Sequence, residues 1–216
     1  MELHIGRRLT SGEAVHHKDG DKTNNALENL HLLAWGASRA SGRLRVEPLS
    51  RVAESSVVFD PTEEYRYRLG RRWQTEGRAV LFIGLNPSTA DAQQADPTLR
   101  RCVGFARAWG HPAVELVNLF AYRTPEPVVL KSVADPVGPE NDRHIQEAVA
   151  VAEPIVVAWG SLSGVFRARA EAVVTLLGQR ELCCLERTQS GDPRHPLFTS
   201  KYCRPMPWTR PTRGRA

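Results

Sequence analysis

The chain has 216 residues, of which 41% are hydrophobic and 25% are charged, and its formal net charge is +5. This length suits one ordinary domain with an appendage. The composition is that of a globular protein rather than a disordered or collagen-like one. No apolar run approaches the roughly 18–20 residues of a membrane-spanning helix, and the N-terminus lacks the apolar region of a signal peptide. We therefore expect a cytoplasmic protein with no membrane partner.

The sequence divides into four segments by composition. Residues 1–38 are polar and crowded with His, Asp and Asn, and residues 39–57 are rich in Ser, Arg, Gly and Ala, which predicts a linker. Residues 58–203 alternate short apolar runs with helical patterns. Residues 204–216 carry four arginines and no acidic residue. This basic tail is either an arm that contacts phosphate or a solvated terminus.

Residues 58–203 predict an α/β domain. Continuous apolar runs predict strands that are buried on both faces; these are residues 79–85, 114–120, 155–159 and 181–185. Between them lie three predicted helices, at residues 97–109, 139–153 and 161–177, and Asp96-Pro97 predicts the start of the first one. Alternation of strands with helices predicts a four-stranded, mainly parallel sheet with helices on both faces.

Polar residues follow three of the predicted strands. Asn86, Pro87 and Asp91 come after the first strand, Asn118 lies in the second, and His195 follows the fourth. Ligands of such sheets bind at the carboxyl ends of the strands, so these residues predict one pocket. A buried Asn118 must either pair with backbone or face that pocket, because an unpaired amide costs roughly 1–3 kcal/mol. The alternative is that Asn86-Pro87 is only a turn and His195 only a surface residue.

Several motifs make residues 58–208 resemble a bacterial and phage family, domain of unknown function sixteen forty-three. The motifs are GLNPSTADA (84–92), DPTLRRC (96–102), VNLFAYR (117–123), DPVGPEND (135–142), AWG (158–160) and RHPL (194–197). This resemblance names a family and implies no activity.

The order of four short motifs is also similar to that of the uracil-DNA glycosylase superfamily. GLNP (84–87) follows the first predicted strand, Asn118 lies in the second, Trp159-Gly160 ends the third, and His195-Pro196 follows the last. The resemblance implies a three-layer sandwich built on a four-stranded sheet. It also implies an enzyme that flips a nucleotide out of the stack and hydrolyses the bond between base and sugar.

The glycosylase resemblance implies a role for each site residue. Asn86 would position the attacking water, His195 would donate a hydrogen bond to the departing base, and Asn118 would bind the edge of the base. Phe120 or Tyr122 would stack on the base. Pro87 and Asp91 would also line the substrate site, and no cofactor is implied. Outside this pattern, the DPTLRRC motif offers a phosphate site through Arg100 and Arg101, so the substrate is a modified base or a nucleotide.

Residues 12–33, GEAVHHKDGDKTNNALENLHLL, resemble the HNH endonucleases of phages and mobile introns. The resemblance implies a small ββα module in which His16 binds a divalent metal such as Mg²⁺. His17 would be the general base, and Asn29 would orient the loop that carries it. The family's third metal ligand would fall at Ser38, so the module either still cuts DNA or is a remnant that only binds it.

Three functions remain open at the level of sequence. The first is a DNA-acting hydrolase whose α/β domain removes a base, including a modified one, and whose HNH-like module delivers it or cuts the strand. The second is a metal-dependent HNH endonuclease whose α/β domain only binds nucleic acid or nucleotide. The third is a DNA-binding protein without catalysis.

Overall fold

A computed structural model describes residues 13–17, 30–34, 54–88, 90–91 and 95–210. The chain divides into two compact units, Met1–Arg45 and Val46–Ala216. The predicted linker, residues 39–57, overlaps a strand at its end and otherwise lies outside the described residues.

The first unit contains a two-stranded antiparallel sheet. Strand β1 (Glu13–His17) pairs with β2 (Leu30–Ala34), and the register places His16 opposite His31 and His17 opposite Leu30. The helix expected for a ββα module, Asn29 and Ser38 lie outside the described residues.

The second unit contains seven strands and three α-helices. The strands are β3 (Glu54–Phe59), β4 (Arg66–Arg72), β5 (Val80–Gly84), β6 (Ala113–Asn118), β7 (Ile155–Val157), β8 (Leu182–Cys184) and β9 (Met206–Pro207). The α-helices are α1 (Pro97–Ala108), α2 (Asn141–Val151) and α3 (Gly164–Leu177). Two short 3-10 helices span Pro127–Lys131 and Pro196–Phe198.

All seven strands form one sheet in the order β3-β4-β6-β5-β7-β8-β9. The four predicted strands correspond to β5, β6, β7 and β8, which are paired in parallel. The prediction of a four-stranded sheet was wrong, because β3, β4 and β9 extend it with antiparallel pairs. An apolar pattern does not predict β4 (RYRLGRR), because this strand is charged, or β9, because it has only two residues.

Helices cover both faces of the sheet because β5 alternates between two cores. Val80 and Phe82 pack in a cluster with residues of α1, whereas Leu81 and Ile83 pack in a cluster with residues of α2 and α3. Each of these side chains is almost fully buried. Burial of one such side chain stabilises the fold by roughly 1.5–3 kcal/mol.

Local sequence signals set the ends of helix α1. Asp96 is its N-cap and accepts a hydrogen bond from the Leu99 amide at 2.7 Å, with Pro97 as the first helical residue. This start was predicted correctly. The helix ends at Ala108, two residues before Gly110, whose φ is +83°.

The predicted basic tail begins as part of the folded unit. Strand β9 pairs with β8, the buried Trp208 packs edge-to-face against Trp159, and Arg210 pairs with Glu171 at 3.0 Å. Residues 211–216 lie outside the described part of the chain. All four cysteines are free. None of the helices in the described ranges combines the length and apolarity that crossing a bilayer requires.

Asn141, at the start of α2, holds the end of β6 in place. Its side chain is fully buried, and Nδ2 donates to the carbonyl oxygens of Asn118 and Leu119, each at 3.1 Å. These bonds hold the backbone at the end of β6, where Asn118 belongs to the predicted pocket.

We predict that Asn141→Ala lowers the free energy of unfolding by about 1–3 kcal/mol, because the Asn118 carbonyl loses this donor and the Leu119 carbonyl keeps only the bond from Arg169 Nε. Urea denaturation measures the change. Gln146→Ala, which removes an exposed amide from the same helix, is the matched control and should stay within about 0.5 kcal/mol of wild type. Equal effects of the two substitutions would contradict this role of Asn141.

Candidate active site

A cavity of about 760 Å³ opens at the carboxyl ends of the parallel strands. Asn86 follows β5, Asn118 ends β6, Trp159 follows β7, and His195 lies on the segment after β8; all four line the cavity. The volume lies in the range of small-molecule sites. The structure therefore places Asn86, Asn118 and His195 in the wall of one cavity.

Two hydrogen bonds fix the side chain of Asn86. Its Nδ2 donates to the carbonyl oxygens of Pro87 at 3.0 Å and of Thr124 at 2.7 Å. Since a carboxamide has donors on one end and an acceptor on the other, these bonds determine which end remains for a ligand. Oδ1 has no hydrogen-bond partner within the described residues, so Asn86 presents an acceptor.

Asn118 presents the opposite group. The residue is only 5% exposed, and its Nδ2 is buried without a partner in the part of the chain that the structure describes. Strand pairing sets Asn118 opposite Gly84, and a Cβ atom at residue 84 would lie 2.8 Å from Asn118 Oδ1. Asn118 thus lies in the cavity wall, and its buried Nδ2 is paired with no backbone carbonyl among the described residues.

His195 is neutral near pH 7. Burial lowers its pKa below the ordinary value, and the carboxylate of Asp96 offsets part of this shift. Nδ1 accepts a hydrogen bond from the Leu197 amide at 3.3 Å, so the proton of the neutral ring resides on Nε2. His195 therefore presents an N–H donor.

Two contacts hold the segment that carries His195. The amide of Gly160, which has a φ of +81°, donates to the Pro193 carbonyl at 2.9 Å, and a Cβ atom at residue 160 would lie 3.8 Å from the Cβ of His195. From the other side, Arg101 donates to the carbonyl oxygens of Pro196, at 3.2 Å, and Thr199. The segment 193–199 is thus attached both to Gly160, just after β7, and to α1.

Two family models match the chain, one in each of its two compact units. Residues 66–197, which include Asn86, Asn118 and His195, match the model of the family described as "Protein of unknown function (DUF1643)". The chain belongs to the DUF1643 family. Residues 1–34 match the model of the HNH endonuclease family. No curated protein and no solved structure matches the chain.

The aromatic residues expected to stack on a base lie elsewhere in this DUF1643 fold. Phe120 packs edge-to-face on Phe166 of α3, with ring centroids 5.4 Å apart, and Tyr122 packs edge-to-face on Tyr65 at 5.8 Å. Neither residue lines the cavity, because the chain beyond Asn118 continues into the core beside α2 and α3. The aromatic side chains that do line it are those of Phe82, Trp159 and Phe198.

The predicted phosphate site at Arg100 and Arg101 is also absent from the cavity wall. Arg100 is exposed on α1, and the guanidinium of Arg101 lies over the Phe105 ring at 5.0 Å while holding the 196–199 turn. Pro87 is buried and accepts the bond from Asn86, and the Asp91 carbonyl accepts one from Arg71. Pro87, Asp91 and Arg101 therefore support the site and do not line it.

Three charged residues, Arg66, Asp96 and Arg194, line the cavity, and none of them was among the predicted site residues. Asp96 was predicted only as a helix cap, and Arg66, the first residue of β4, lay in a strand that was not predicted. Arg66 is 3% exposed, and burial lowers its pKa to about 10. An arginine that alternates with apolar residues in a strand would have been the signal.

Elsewhere in the described ranges, no three His, Cys, Asp or Glu side chains cluster in a way that would hold a metal ion. His16, the metal ligand that the HNH resemblance implies, and His17, the implied general base, both lie in β1 of the first unit.

We predict that the ring of His195 titrates with a midpoint below the ordinary value of 6.5. Because the folded state binds this proton less readily than the unfolded chain, the contribution of His195 to stability falls as the pH drops below about 6.5. Long-range ¹H–¹⁵N NMR on the ring should show the Nε2–H form at pH 7. A midpoint above 6.5, or a proton on Nδ1, would show that this description of His195 is wrong.

Proposed function

We propose that the α/β unit binds a nucleobase in this cavity and hydrolyses the N-glycosidic bond of a flipped nucleotide. The observation that supports this proposal is one cavity lined by three residues whose hydrogen bonds to the described residues leave an acceptor on Asn86, a donor on Asn118 and a neutral N–H donor on His195. This is the set that the glycosylase resemblance requires.

Each group has one task in the proposed reaction. Asn86 Oδ1 accepts a hydrogen bond from water and directs the water oxygen toward C1′ of the sugar. As the C1′–O bond forms, the C1′–N bond breaks and its electron pair leaves on the base. The proton lost by water reaches the base through solvent, so the products are a free base and an abasic sugar. The His195 N–H stabilises the anionic base in the transition state.

Asn118 determines which base fits. Its Nδ2–H donates to an acceptor on the base edge, and the buried amide without a substrate is left unsatisfied. Phe82 and Trp159 supply apolar walls in which a flat ring is desolvated. None of these tasks calls for a metal ion.

We expect the wild-type protein, in EDTA, to generate alkali-labile sites in plasmid DNA or in phage DNA with modified bases. Asn86→Ala should reduce the rate by about 100-fold or more, because the attacking water loses its acceptor. Gln146→Ala, which removes an exposed amide that does not line the cavity, should keep the wild-type rate. Strand breaks that appear in hot alkali at the same rate with Asn86→Ala would contradict the proposal.

A second proposed activity rests on the match of residues 1–34 to the HNH endonuclease family. In this proposal His16 holds a divalent metal, His17 takes a proton from water, and Asn29 orients the loop that carries His17. When bound, the metal neutralises charge on the scissile phosphate. The proposed partner of both units is DNA.

This nuclease activity separates cleanly from base excision. Cutting should occur without alkali, require Mg²⁺ or Mn²⁺, disappear in His17→Ala and persist in Asn86→Ala. Gel analysis of supercoiled plasmid measures it. Nicking that continues in EDTA or in His17→Ala would remove the HNH assignment, and a protein that shows neither activity on modified or unmodified DNA would support DNA binding alone.

A further inference from the structure

Arg66 is a buried cation in the cavity wall, and its guanidinium makes one hydrogen bond among the described residues. Its Nη1 donates to the Ala90 carbonyl, and its Nε is buried without a partner among the described residues. A guanidinium carries five N–H donors in a planar fork that matches phosphate or carboxylate. Burial of this group without more partners is costly, so its position calls for an anionic ligand.

Charged groups of both signs act on Arg66. The carboxylates of Asp96 and Asp91 favour its charged form, whereas Arg123 and Arg71 oppose it. An anion that entered the cavity beside Arg66 would add to the attraction of the two carboxylates.

Arg71 shows what a purely structural arginine does on the same strand. It is 4% exposed, and it donates to the carbonyl oxygens of Gly70 and Asp91. Both arginines therefore hold the loop after β5, Arg66 at residue 90 and Arg71 at residue 91. Only Arg66 lines the cavity, so loop attachment alone does not account for its place there.

We propose that Arg66 binds a phosphate group of the substrate, so that the cavity accepts a nucleotide in preference to a nucleoside or a free base. The phosphate belongs either to a DNA strand beside the flipped base or to a free nucleotide, and the two sources share the same fork of N–H donors. The inference rests on the proposed function only in that a base occupies the cavity. It does not depend on the cleavage step.

Calorimetric titration tests the inference with matched probes. The four deoxynucleosides, their 5′-monophosphates, a single-stranded decanucleotide and inorganic phosphate are titrated into the full chain in EDTA. We expect the 5′-monophosphate of the base that fits to bind at least tenfold more tightly than its nucleoside. Arg66→Met should abolish this difference, whereas Arg71→Met should preserve it.

Arg66→Lys controls for folding, because it keeps the charge and removes the fork; it should retain part of the phosphate preference. Tighter binding of the decanucleotide than of any mononucleotide assigns the phosphate to a strand, and the reverse assigns it to a free nucleotide. Equal affinity of nucleoside and nucleotide for the wild type, or equal loss in Arg66→Met and Arg71→Met, would overturn the inference.

The inference and the proposed function can fail separately. If inorganic phosphate binds in an Arg66-dependent way and no alkali-labile site is ever formed, the anion site stands and base excision fails. If excision requires Asn86 but nucleosides bind as well as nucleotides, excision stands and the phosphate site fails.

Discussion

The parallel pairing of β5 with β6 is the constraint on which the candidate site depends. It sets Gly84 beside Asn118, and only the absence of a side chain at residue 84 leaves room for the Asn118 carboxamide. Backbone bonds then continue beyond the strands: the Leu119 amide donates to the Gly84 carbonyl at 2.9 Å, and the Phe120 amide donates to the Leu85 carbonyl at 3.0 Å. The loop that carries Asn86 is thus joined to the end of β6, and the two carboxamides keep a fixed separation.

The polar groups of the cavity are divided between structure and ligand. Asn86 uses its donor on the protein and keeps an acceptor, while His195 uses its acceptor on the protein and keeps a donor. Asn118 keeps a donor that is paired with nothing in the described residues. Apolar walls strengthen each of these groups toward a ligand, because hydrogen bonds gain strength where water is excluded. Such an arrangement fits a flat heteroaromatic ring with both donors and acceptors.

The sequence predicts the centre of this fold better than its edges. Strands β5 to β8 are apolar runs because helices cover both of their faces. Asp96 and Pro97 predict the start of α1, because the Asp96 side chain caps the helix and proline suits its first position. A hydrophobic pattern does not predict strand β4, because its arginines are stabilised by an ion pair and by hydrogen bonds to backbone carbonyls. For the site, the rule that ligands gather at the strand ends brings together Asn86, Asn118 and His195. It does not tell where a side chain points once the chain leaves the strand, so Phe120 and Tyr122 were assigned to the cavity. The rule covers neither Arg101, which lies on α1, nor Arg66, which lies on the unpredicted strand β4.

In the proposed function, the side chains of Asn86, Asn118 and His195 surround a nucleobase. Mass spectrometry of the bases released from several phage genomes, including hypermodified ones, tests it most directly when the digestion is done in EDTA with wild type and Asn118→Leu in parallel. We expect the wild type to release one free base, or a small set of bases with the same hydrogen-bonding groups on one edge, and Asn118→Leu to release far less. Absence of any free base from all the genomes, or the same release by both proteins, would contradict it.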